Sequence, residues 1–379
     1  MRIAIAHAII GMVGGGERLV FLMARALREL GHVVDIYASY INYDAWSLLA
    51  SSTDPKPMLI PMDPETRLTR RMGDITRAPV SGAIVAARHL LKVVRGLGYD
   101  IVIETMSNVP MDTDISYIHL PLGEDTHGGL MNFLYRAFLN IEIRRNLGKP
   151  RLTLVNSSWT AVRIYRKFGI RPNVLYPPID NDVFTACGSY DRKDKDMVLT
   201  VSRYSPEKNL TSIVEIASMV PEAEFYIAGS VTQASQTVVH KLINRLEELK
   251  VKNLHLLFNI SRNRLLRLMC NAPIYLHPLY VEHFGISIAE ASAAGAVPVV
   301  YRDGGGWLDI ASRIDPMLGY INVHEATHIV KTLLHNNDLW IKLSKKSTEI
   351  ASDFSWDNYK SRLKNVIEKA YDIKSRRQP

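Results

Sequence analysis

The chain has 379 residues, more than one ordinary core needs and enough for two domains. Apolar residues make up 47% and charged residues 22%, which excludes a disordered, collagen-like or fibrous chain. The net charge of +8 is local, because residues 131–172 hold nine bases and one acid while the rest of the chain holds 37 of each. Such a segment is typical of a polyanion site, a membrane surface or a solvated face.

The cysteine content and the first apolar run bear on location. Cys187 and Cys270 are too few for a disulfide framework, so we expect a reducing, cytoplasmic compartment. The run at residues 3–13 is interrupted by His7 and Gly11, is shorter than a membrane span and lacks a small-residue cleavage site. We therefore expect neither a membrane span nor a signal peptide.

The first half of the chain alternates strands and helices. Apolar runs predict strands at 2–6, 33–37, 100–104, 115–119, 152–155 and 173–176. Helical spacing predicts helices at 17–30, 82–96, 130–146 and 158–168. A strand, a glycine loop, a helix and another strand are the usual opening of a parallel, doubly wound sheet.

A second α/β cycle follows a stiff segment at Pro177 and Pro178 and a charged, linker-like run at 191–196. Strands are predicted at 197–201, 223–228, 254–257, 274–277 and 297–300. Helices are predicted at 209–219, 234–250, 261–270, 284–294, 324–351 and 356–374. The predicted fold is α/β, with two Rossmann-like domains facing a central cleft. They span 1–185 and 186–354, and the C-terminal helix, 355–379, packs back on the first.

Two loops are candidates for binding an anion. Gly14, Gly15 and Gly16 stand between a strand and a helix, where backbone N–H groups can approach a ligand, although a tight turn without a ligand is the alternative. The loop has neither the Walker A nor the dinucleotide pattern. Arg203 and Lys208 follow a strand and suit a diphosphate, unless they form only a solvated basic turn.

The most specific pattern is the pair Glu282 and Glu290 around the start of a predicted helix. The N–H groups of Phe284, Gly285 and Ile286 would be unpaired at that start, where the helix dipole favours a phosphate. The segment could therefore hold a sugar hydroxyl, a diphosphate and a ribose, unless it is an amphipathic helix with two surface acids. Gly304–Gly306 forms another turn after a predicted strand.

His119 stands at the end of a predicted strand. It could be a polar ligand or proton relay, or a satisfied structural histidine. The cysteines and histidines lack zinc spacing, and the two Asp-x-Asp patterns have no partner ligands in view, so no metal site is predicted.

These motifs, in this order and over nearly the whole chain, resemble the retaining GT-B glycosyltransferases of family 4 (group 1). More narrowly, residues 117–121, 156–160, 176–180 and 283–290 are similar to α-1,2-mannosyltransferases that extend dolichol-linked oligosaccharides. Those enzymes carry an N-terminal membrane anchor, whereas the first strand here begins at residue 2. We therefore expect a peripheral, prokaryotic enzyme.

The resemblance implies a role for each matching residue. Arg203 and Lys208 would hold the diphosphate of a nucleotide-sugar donor, and Gly285 and Ile286 would offer N–H groups to the phosphate. Glu282 would contact the transferred sugar, Glu290 would bind the ribose hydroxyls, and His119 would lie over the sugar. Gly15 and Gly16 would line the site near donor and acceptor. No cofactor and no metal would be required, because cations and oriented amides stabilise the leaving group.

The basic segment falls in the domain that binds the acceptor in this family. Arg136, Arg144, Arg145 and Lys149 flank five apolar residues: Phe133, Leu134, Phe138, Leu139 and Ile143. A basic amphipathic helix there predicts an anionic membrane and a lipid-phosphate-linked glycan acceptor, and no nucleic-acid fold pattern is present. A soluble acceptor, a non-catalytic sugar-nucleotide or lipid-binding subunit and an epimerase of the same fold remain alternatives.

Overall fold

The computed structural model describes residues 1–11, 14–49, 56–60, 79–120, 122, 139–141, 143–179, 181–187, 194–232 and 235–376. The chain divides into two compact units. Unit 1 is Met1–Pro177 with Tyr359–Pro379, and unit 2 is Pro178–Asn358. The division falls between the two adjacent prolines, whereas the sequence placed it after residue 185. Several predicted features, namely Phe133, Leu134, Arg136, Phe138, Asp180 and the first half of the charged run at 191–196, lie outside the described residues.

Unit 1 is built on a seven-stranded parallel sheet in the order β5-β3-β1-β6-β7-β8-β9. Its strands, with the small pair β2 and β4, are β1 Arg2–Ala6, β2 Ile9–Ile10, β3 Val33–Ala38, β4 Tyr40–Ile41, β5 Met58–Leu59, β6 Ile101–Glu104, β7 Ile115–Ile118, β8 Leu152–Val155 and β9 Asn173–Val174. Its helices are α1 Gly15–Glu29, α2 Tyr43–Leu49, α3 Pro79–Val94 and α4 Ser158–Phe168, and residues 139–141 and 143–146 are also helical.

The central strands are short apolar runs because helices cover both faces of a parallel sheet. All residues of β6, β7 and β8 are buried. Local signals set the ends of α4: the Ser157 side chain accepts a hydrogen bond from Thr160 N, and Gly169 ends the helix with a φ of 69°. The carboxyl ends of β1, β6, β7 and β8 consequently meet at one edge of the sheet.

Unit 2 repeats this design with a six-stranded parallel sheet in the order β12-β11-β10-β13-β14-β15. Its strands are β10 Met197–Val201, β11 Glu224–Gly229, β12 Leu254–Phe258, β13 Ile274–Leu276, β14 Val297–Tyr301 and β15 Gly319–Tyr320. Its helices include α5 Asn181–Ala186, α6 Thr211–Met219, α7 Gln236–Glu248, α8 Arg262–Asn271, α9 Ile286–Ala293, α10 Val323–His335 and α11 Asn337–Ser352.

The single helix predicted at 324–351 is wrong, since α10 and α11 are separate helices. Asn336, between them, has the non-helical dihedrals φ −124° and ψ 86°, and its side chain accepts a hydrogen bond from Leu339 N as the cap of α11. Apolar periodicity runs through both helices, so only the backbone at the asparagine reveals the break.

The last helix, α12, spans Trp356–Ser375, and from Tyr359 onward it belongs to unit 1. Buried residues recur along one face at Tyr359, Leu363, Ile367 and Ala370. The helix is also tied by ion pairs, since Lys360 Nζ lies 3.1 Å from Glu29 Oε2 and Lys374 Nζ lies 3.2 Å from Asp114 Oδ2. The expected packing of the C-terminal helix on the first domain is confirmed.

The expectation for the cysteines needs correction, because Cys187 and Cys270 form a disulfide within unit 2. The bond joins the residue after α5 to the end of α8, across a sequence separation of 83 residues. Two cysteines so far apart carry no pairing signal in sequence, because the fold alone brings α5 beside α8. The cysteine count therefore gives no support for a reducing compartment.

No helix in the described part of the chain is both long enough and apolar enough to span a membrane.

The disulfide predicts a measurable stability effect. Replacing both Cys187 and Cys270 by serine should lower the free energy of unfolding of unit 2 by about 2–4 kcal/mol, since the bond restricts a long loop in the unfolded chain. Thermal unfolding of the wild-type protein, with and without reductant, measures the same effect. Reductant should not change the melting temperature of the double variant, and an equal melting temperature for variant and wild type would contradict the bond.

Candidate active site

The carboxyl edge of the unit 2 sheet brings together two loops that are far apart in sequence. Lys208 ends a short 3-10 turn, Pro206–Lys208, after β10, and Glu282 lies in the loop after β13. Lys208 Nζ donates a hydrogen bond to Glu282 Oε2 at 2.8 Å and lies 4.2 Å from the centre of the Tyr280 ring. The Asn209 side chain donates to Leu279 O at 3.2 Å, so a second contact holds the two loops together.

Glu282 is held in its ionised form. Burial opposes ionisation, but the charge of Lys208 and the adjacent His277 outweigh it, so the pKa of the Glu282 carboxyl lies well below its ordinary value of about 4.5. His277 Nε2 lies 3.6 Å from the Glu282 carboxylate, while its Nδ1 donates to Pro278 O. The site therefore presents a fixed negative charge with a lysine directly beside it.

The glycine turn after β14 fixes the backbone of Glu282. Gly304 pairs with Glu282 as a parallel bridge, and Gly305 N donates to Glu282 O at 2.7 Å. Gly304 has a φ of 96°, and a Cβ atom there would collide with Glu282 O. Only glycine fits this position. The turn expected from sequence thus acts directly on the carboxylate loop.

Helix α9 begins four residues after Glu282, with Gly285 as its N-cap at a φ of 91°. No side chain caps this end, so the first N–H groups of the helix have the orientation that suits a phosphate. Phe284, in contrast, packs its ring 5.2 Å from Phe354 and is buried. The Phe284 side chain is therefore not available to a ligand. Its contribution would be limited to the backbone, as is expected for Gly285 and Ile286.

Glu290 is the fifth residue of α9 and only 4% exposed, which excludes the reading of this segment as a helix with surface acids. Arg262 Nη2 donates to Glu290 Oε1 at 2.9 Å. Glu282 and Glu290 therefore have different cation partners. Sequence reasoning did not find Arg262 or His277, since no local pattern links either to the acid it contacts.

Arg203 lies in the same loop as Lys208 but has a different environment. Its side chain is half exposed, and its Nη2 atom lies 3.6 Å from Glu207 Oε1. An exposed pair of this kind contributes little to stability. Arg203 is much more exposed than Lys208, whose side chain is 14% exposed and paired with Glu282.

His119 lies at the carboxyl edge of the unit 1 sheet, directly after β7. Its Nε2 donates to Thr105 O at 3.0 Å, and its backbone N donates to the Asn108 side chain at 2.8 Å. Asn156, after β8, donates to His119 O at 2.8 Å. A Cβ atom on Gly16 would lie 3.8 Å from the His119 ring, so the start of α1 is beside the histidine. Gly15, the first residue of α1, precedes it.

Two buried titratable groups in this edge were missed from sequence. His7, after β1, hydrogen-bonds Thr105 Oγ1 through Nδ1, and burial together with the charge of His119 lowers its pKa to about 3. Glu104 ends β6, and burial raises its pKa to about 7, although Ser107 and Met106 donate to the carboxylate. Both residues lie at the ends of strands whose sequences are mainly apolar, so the sequence pattern alone did not indicate a polar site there.

The basic segment is only partly available as a surface. Arg144, Arg145 and Lys149 are exposed, whereas Arg151 Nε lies 2.8 Å from Asp114 Oδ1 and serves the fold.

The amphipathic helix expected at an anionic membrane has two of its apolar residues, Leu139 and Ile143, in the core of unit 1. Ile141 and Leu147 are instead the apolar residues exposed beside the three bases, at 48% and 46%.

Among the described residues, no three His, Cys, Asp or Glu side chains converge as a metal site. Asp112 pairs with Arg95 at 2.6 Å, and Asp114 with Arg151 and Lys374.

The Lys208–Glu282 ion pair predicts a pH-dependent coupling. In a double-mutant cycle with Lys208→Met and Glu282→Gln, the interaction free energy should be about 1–3 kcal/mol, because both side chains are largely buried. The lowered folded-state pKa of Glu282 means that this contribution is complete above about pH 4.5 and is lost as the pH falls.

Urea unfolding between pH 3 and 7 measures this coupling when the unfolding of unit 2 is monitored by hydrogen exchange. The acid-dependent loss should be smaller in the Glu282→Gln protein. Single effects that simply add, at every pH, would contradict the ion pair.

Comparison with known families finds a match in the second half of the chain. Residues 189–349 match the model of the glycosyl transferases group 1 family. The matched range includes Arg203, Lys208, Glu282 and Glu290. The expected resemblance to this group is confirmed.

Curated relatives point in the same direction. A protein of Dictyostelium discoideum named GDP-Man:Man(3)GlcNAc(2)-PP-Dol alpha-1,2-mannosyltransferase is 27% identical over 238 residues, which are 58% of this chain and 47% of that protein. The Mus musculus protein of the same name is 32% identical over 174 residues, 42% of this chain and 35% of that protein. The chain thus spans less than half the length of these two relatives.

Solved structures match nearly the whole chain. WaaG, a glycosyltransferase involved in lipopolysaccharide biosynthesis, matches with a TM-score of 0.70 at 17% identity, covering 98% of this chain and 99% of that one. Sucrose-phosphate synthase of Thermosynechococcus elongatus matches with a TM-score of 0.74 at 14% identity, covering 98% and 99%. These likenesses concern the fold alone, and they confirm the GT-B expectation. Over residues 189–349, the chain is similar to the glycosyl transferases of group 1.

Proposed function

We propose that this protein is a retaining glycosyltransferase that moves a hexose from a nucleoside diphosphate sugar to a lipid-linked glycan. The observation that carries the proposal is the ionised Glu282 beside Lys208, next to the open N-terminus of α9. The names of the relatives, which specify GDP-mannose and a dolichol-linked glycan, support mannose as the hexose and GDP as its carrier.

The residues of unit 2 fit the departure of a diphosphate. The bond between the anomeric carbon and the diphosphate oxygen breaks, and the leaving oxygen gains negative charge. Lys208, Arg203 and the N–H groups of Gly285 and Ile286 would stabilise that charge, so the reaction requires no metal and no cofactor. Glu282 would accept hydrogen bonds from the sugar hydroxyls, and Glu290 from the ribose.

A retaining outcome fits attack from the face that the leaving group occupies. The acceptor hydroxyl oxygen forms the new bond to the anomeric carbon, and its proton passes to the departing diphosphate oxygen. This route needs no enzyme nucleophile. It agrees with the α linkage in the names of the relatives.

Unit 1 is assigned to the acceptor. His119 has its ring fixed by Thr105 and its backbone by Asn108, and it lies beside Gly16. A histidine held in this way can contact a sugar without rearranging. Close to it in the sequence, the exposed bases Arg144, Arg145 and Lys149 suit an anionic membrane that carries the lipid-linked acceptor, and so a peripheral enzyme at the cytoplasmic face.

Removing either key side chain of unit 2 tests the activity. Lys208→Ala and Glu290→Ala should each reduce hexose transfer by about 100-fold or more, since each removes a charged contact to the donor. Lys241→Ala, which changes an exposed lysine on α7, is the control. The assay measures transfer from GDP-mannose and other nucleotide sugars to a polyprenyl-diphosphate-linked glycan.

Full activity in either variant would overturn the proposed site. Donor binding without transfer or donor hydrolysis would indicate a non-catalytic subunit, and transfer to free sugars alone would indicate a soluble acceptor. Conversion of the nucleotide sugar without an acceptor would indicate an epimerase.

Reversing the charge of Arg144, Arg145 and Lys149 to glutamate tests the membrane surface. Binding to anionic vesicles should weaken about 100-fold or more, because each base near such a surface contributes about 1 kcal/mol. Donor binding should be unchanged. The matched control reverses Lys342, Lys345 and Lys346, three exposed lysines on α11.

Vesicle flotation at low and high salt measures the effect. Equal weakening by both triple variants, or equal binding to neutral and anionic vesicles, would contradict the assigned surface. Loss of donor binding would instead place these bases in the fold or the active site.

A further inference from the structure

Arg262 is the first residue of α8 and lies between two acids from different elements. Its Nη2 atom is 2.9 Å from Glu290 Oε1 on α9 and 3.4 Å from Asp182 Oδ1 on α5. The side chain of Glu290 is 5% exposed, that of Arg262 33% and that of Asp182 45%. The three groups form a chain that runs from the surface to a buried carboxylate.

The backbone before Arg262 is fixed at the carboxyl edge of the sheet. Asn259, after β12, has a φ of 48°, donates its N–H to Gly229 O and accepts from Val231 N through its side chain. Ser261 then caps α8 by accepting from Arg264 N. The backbone that leads from β12 to Arg262 is thus fixed, and it lies at the same sheet edge as Glu282.

A second tie holds α5 against α8. The disulfide links Cys187, directly after α5, to Cys270, the ninth residue of α8. The Asp182–Arg262 contact is near the start of both helices, and the disulfide is near the end of both. The outer acid therefore belongs to a segment that is anchored to the helix it contacts.

A buried carboxylate that binds a ligand needs a fixed orientation. An isolated buried charge is costly, and an arginine partner reduces that cost. The hydrogen bond from Arg262 Nη2 to Glu290 Oε1, at 2.9 Å, also limits the rotation of the carboxylate. A lysine would keep the charge but lacks the rigid guanidinium that holds this geometry. Glu290 is the residue proposed above to bind the ribose, and this step rests on that assignment.

We propose that Arg262, braced by Asp182, is a positioning residue that directs the Glu290 carboxylate at the vicinal hydroxyls of the donor ribose. Arg262 contacts the acid and acts through it. Arg262 thereby increases the selectivity of the site for a ribonucleotide over a deoxyribonucleotide. It therefore affects donor affinity and leaves the transfer step itself largely unchanged.

The test compares GDP with 2′-deoxy-GDP by isothermal titration calorimetry of the full chain. The wild-type protein should bind GDP about 10-fold or more tightly than the deoxy compound, as expected for a hydrogen bond to a charged group. Arg262→Gln should reduce this ratio to about threefold or less, and Arg262→Lys should restore it only partly. In transfer assays, Arg262→Gln should raise the donor KM with little change in kcat.

Arg264→Gln is the matched control, because Arg264 is an exposed arginine on the same helix and lies two residues further along. Its GDP to 2′-deoxy-GDP ratio should equal that of the wild type. The Glu290→Gln variant should bind GDP and 2′-deoxy-GDP with nearly equal affinity. Adding Arg262→Gln to it should cause no further change in the ratio of the two affinities. Should Arg262→Gln fail to fold, Asp182→Asn, at an exposed position, should lower the same ratio.

An unchanged ratio in folded Arg262→Gln, or in Asp182→Asn where the former does not fold, overturns the positioning role. Equal wild-type binding of GDP and 2′-deoxy-GDP also overturns it, since Glu290 would then not read the ribose. Failure of the wild-type protein to bind any nucleoside diphosphate would instead overturn the proposed function.

Discussion

The ion pair between Lys208 and Glu282 is the constraint on which the candidate site depends. It joins the loop after β10 to the loop after β13, which are adjacent strands of the unit 2 sheet. Burial opposes ionisation of the Glu282 carboxyl, and Lys208 together with His277 keeps its pKa well below the ordinary value. With the lysine, a charged acid and a cation are placed directly before the N-terminus of α9, where a diphosphate and a sugar can be recognised together.

Parallel sheets explain why both units collect their polar residues at one edge. The carboxyl ends of the strands open into loops there, whereas the strands themselves are buried. In unit 2 this edge holds Lys208, Glu282 and Arg262. In unit 1 it holds His7, Glu104 and His119, connected through Thr105 and its neighbours. The same physical arrangement therefore places a lysine–carboxylate pair at the edge in one unit and a histidine-centred cluster in the other.

Much of the fold was predictable because apolar periodicity and turn residues are local. Strands at 2–6, 152–155 and 197–201 and the helix at 158–168 have the bounds read from sequence. The errors have physical causes. One asparagine interrupts an apolar pattern that otherwise continues across α10 and α11. Leu139 and Ile143 look like a membrane-facing stripe but pack into a core, because a sequence does not show which surface covers an apolar face.

The sequence by itself determined the class of fold and the confinement of the net charge to one segment. It also determined which loops and helix carry Lys208, Glu282, Gly285 and Glu290. These are properties of composition and short-range spacing. Only the tertiary structure decided which groups pair: Lys208 with Glu282, Arg262 with Glu290, and Cys187 with Cys270. Each of these contacts joins residues 28 to 83 positions apart. Such contacts depend on how strands and helices pack, and no local pattern encodes them.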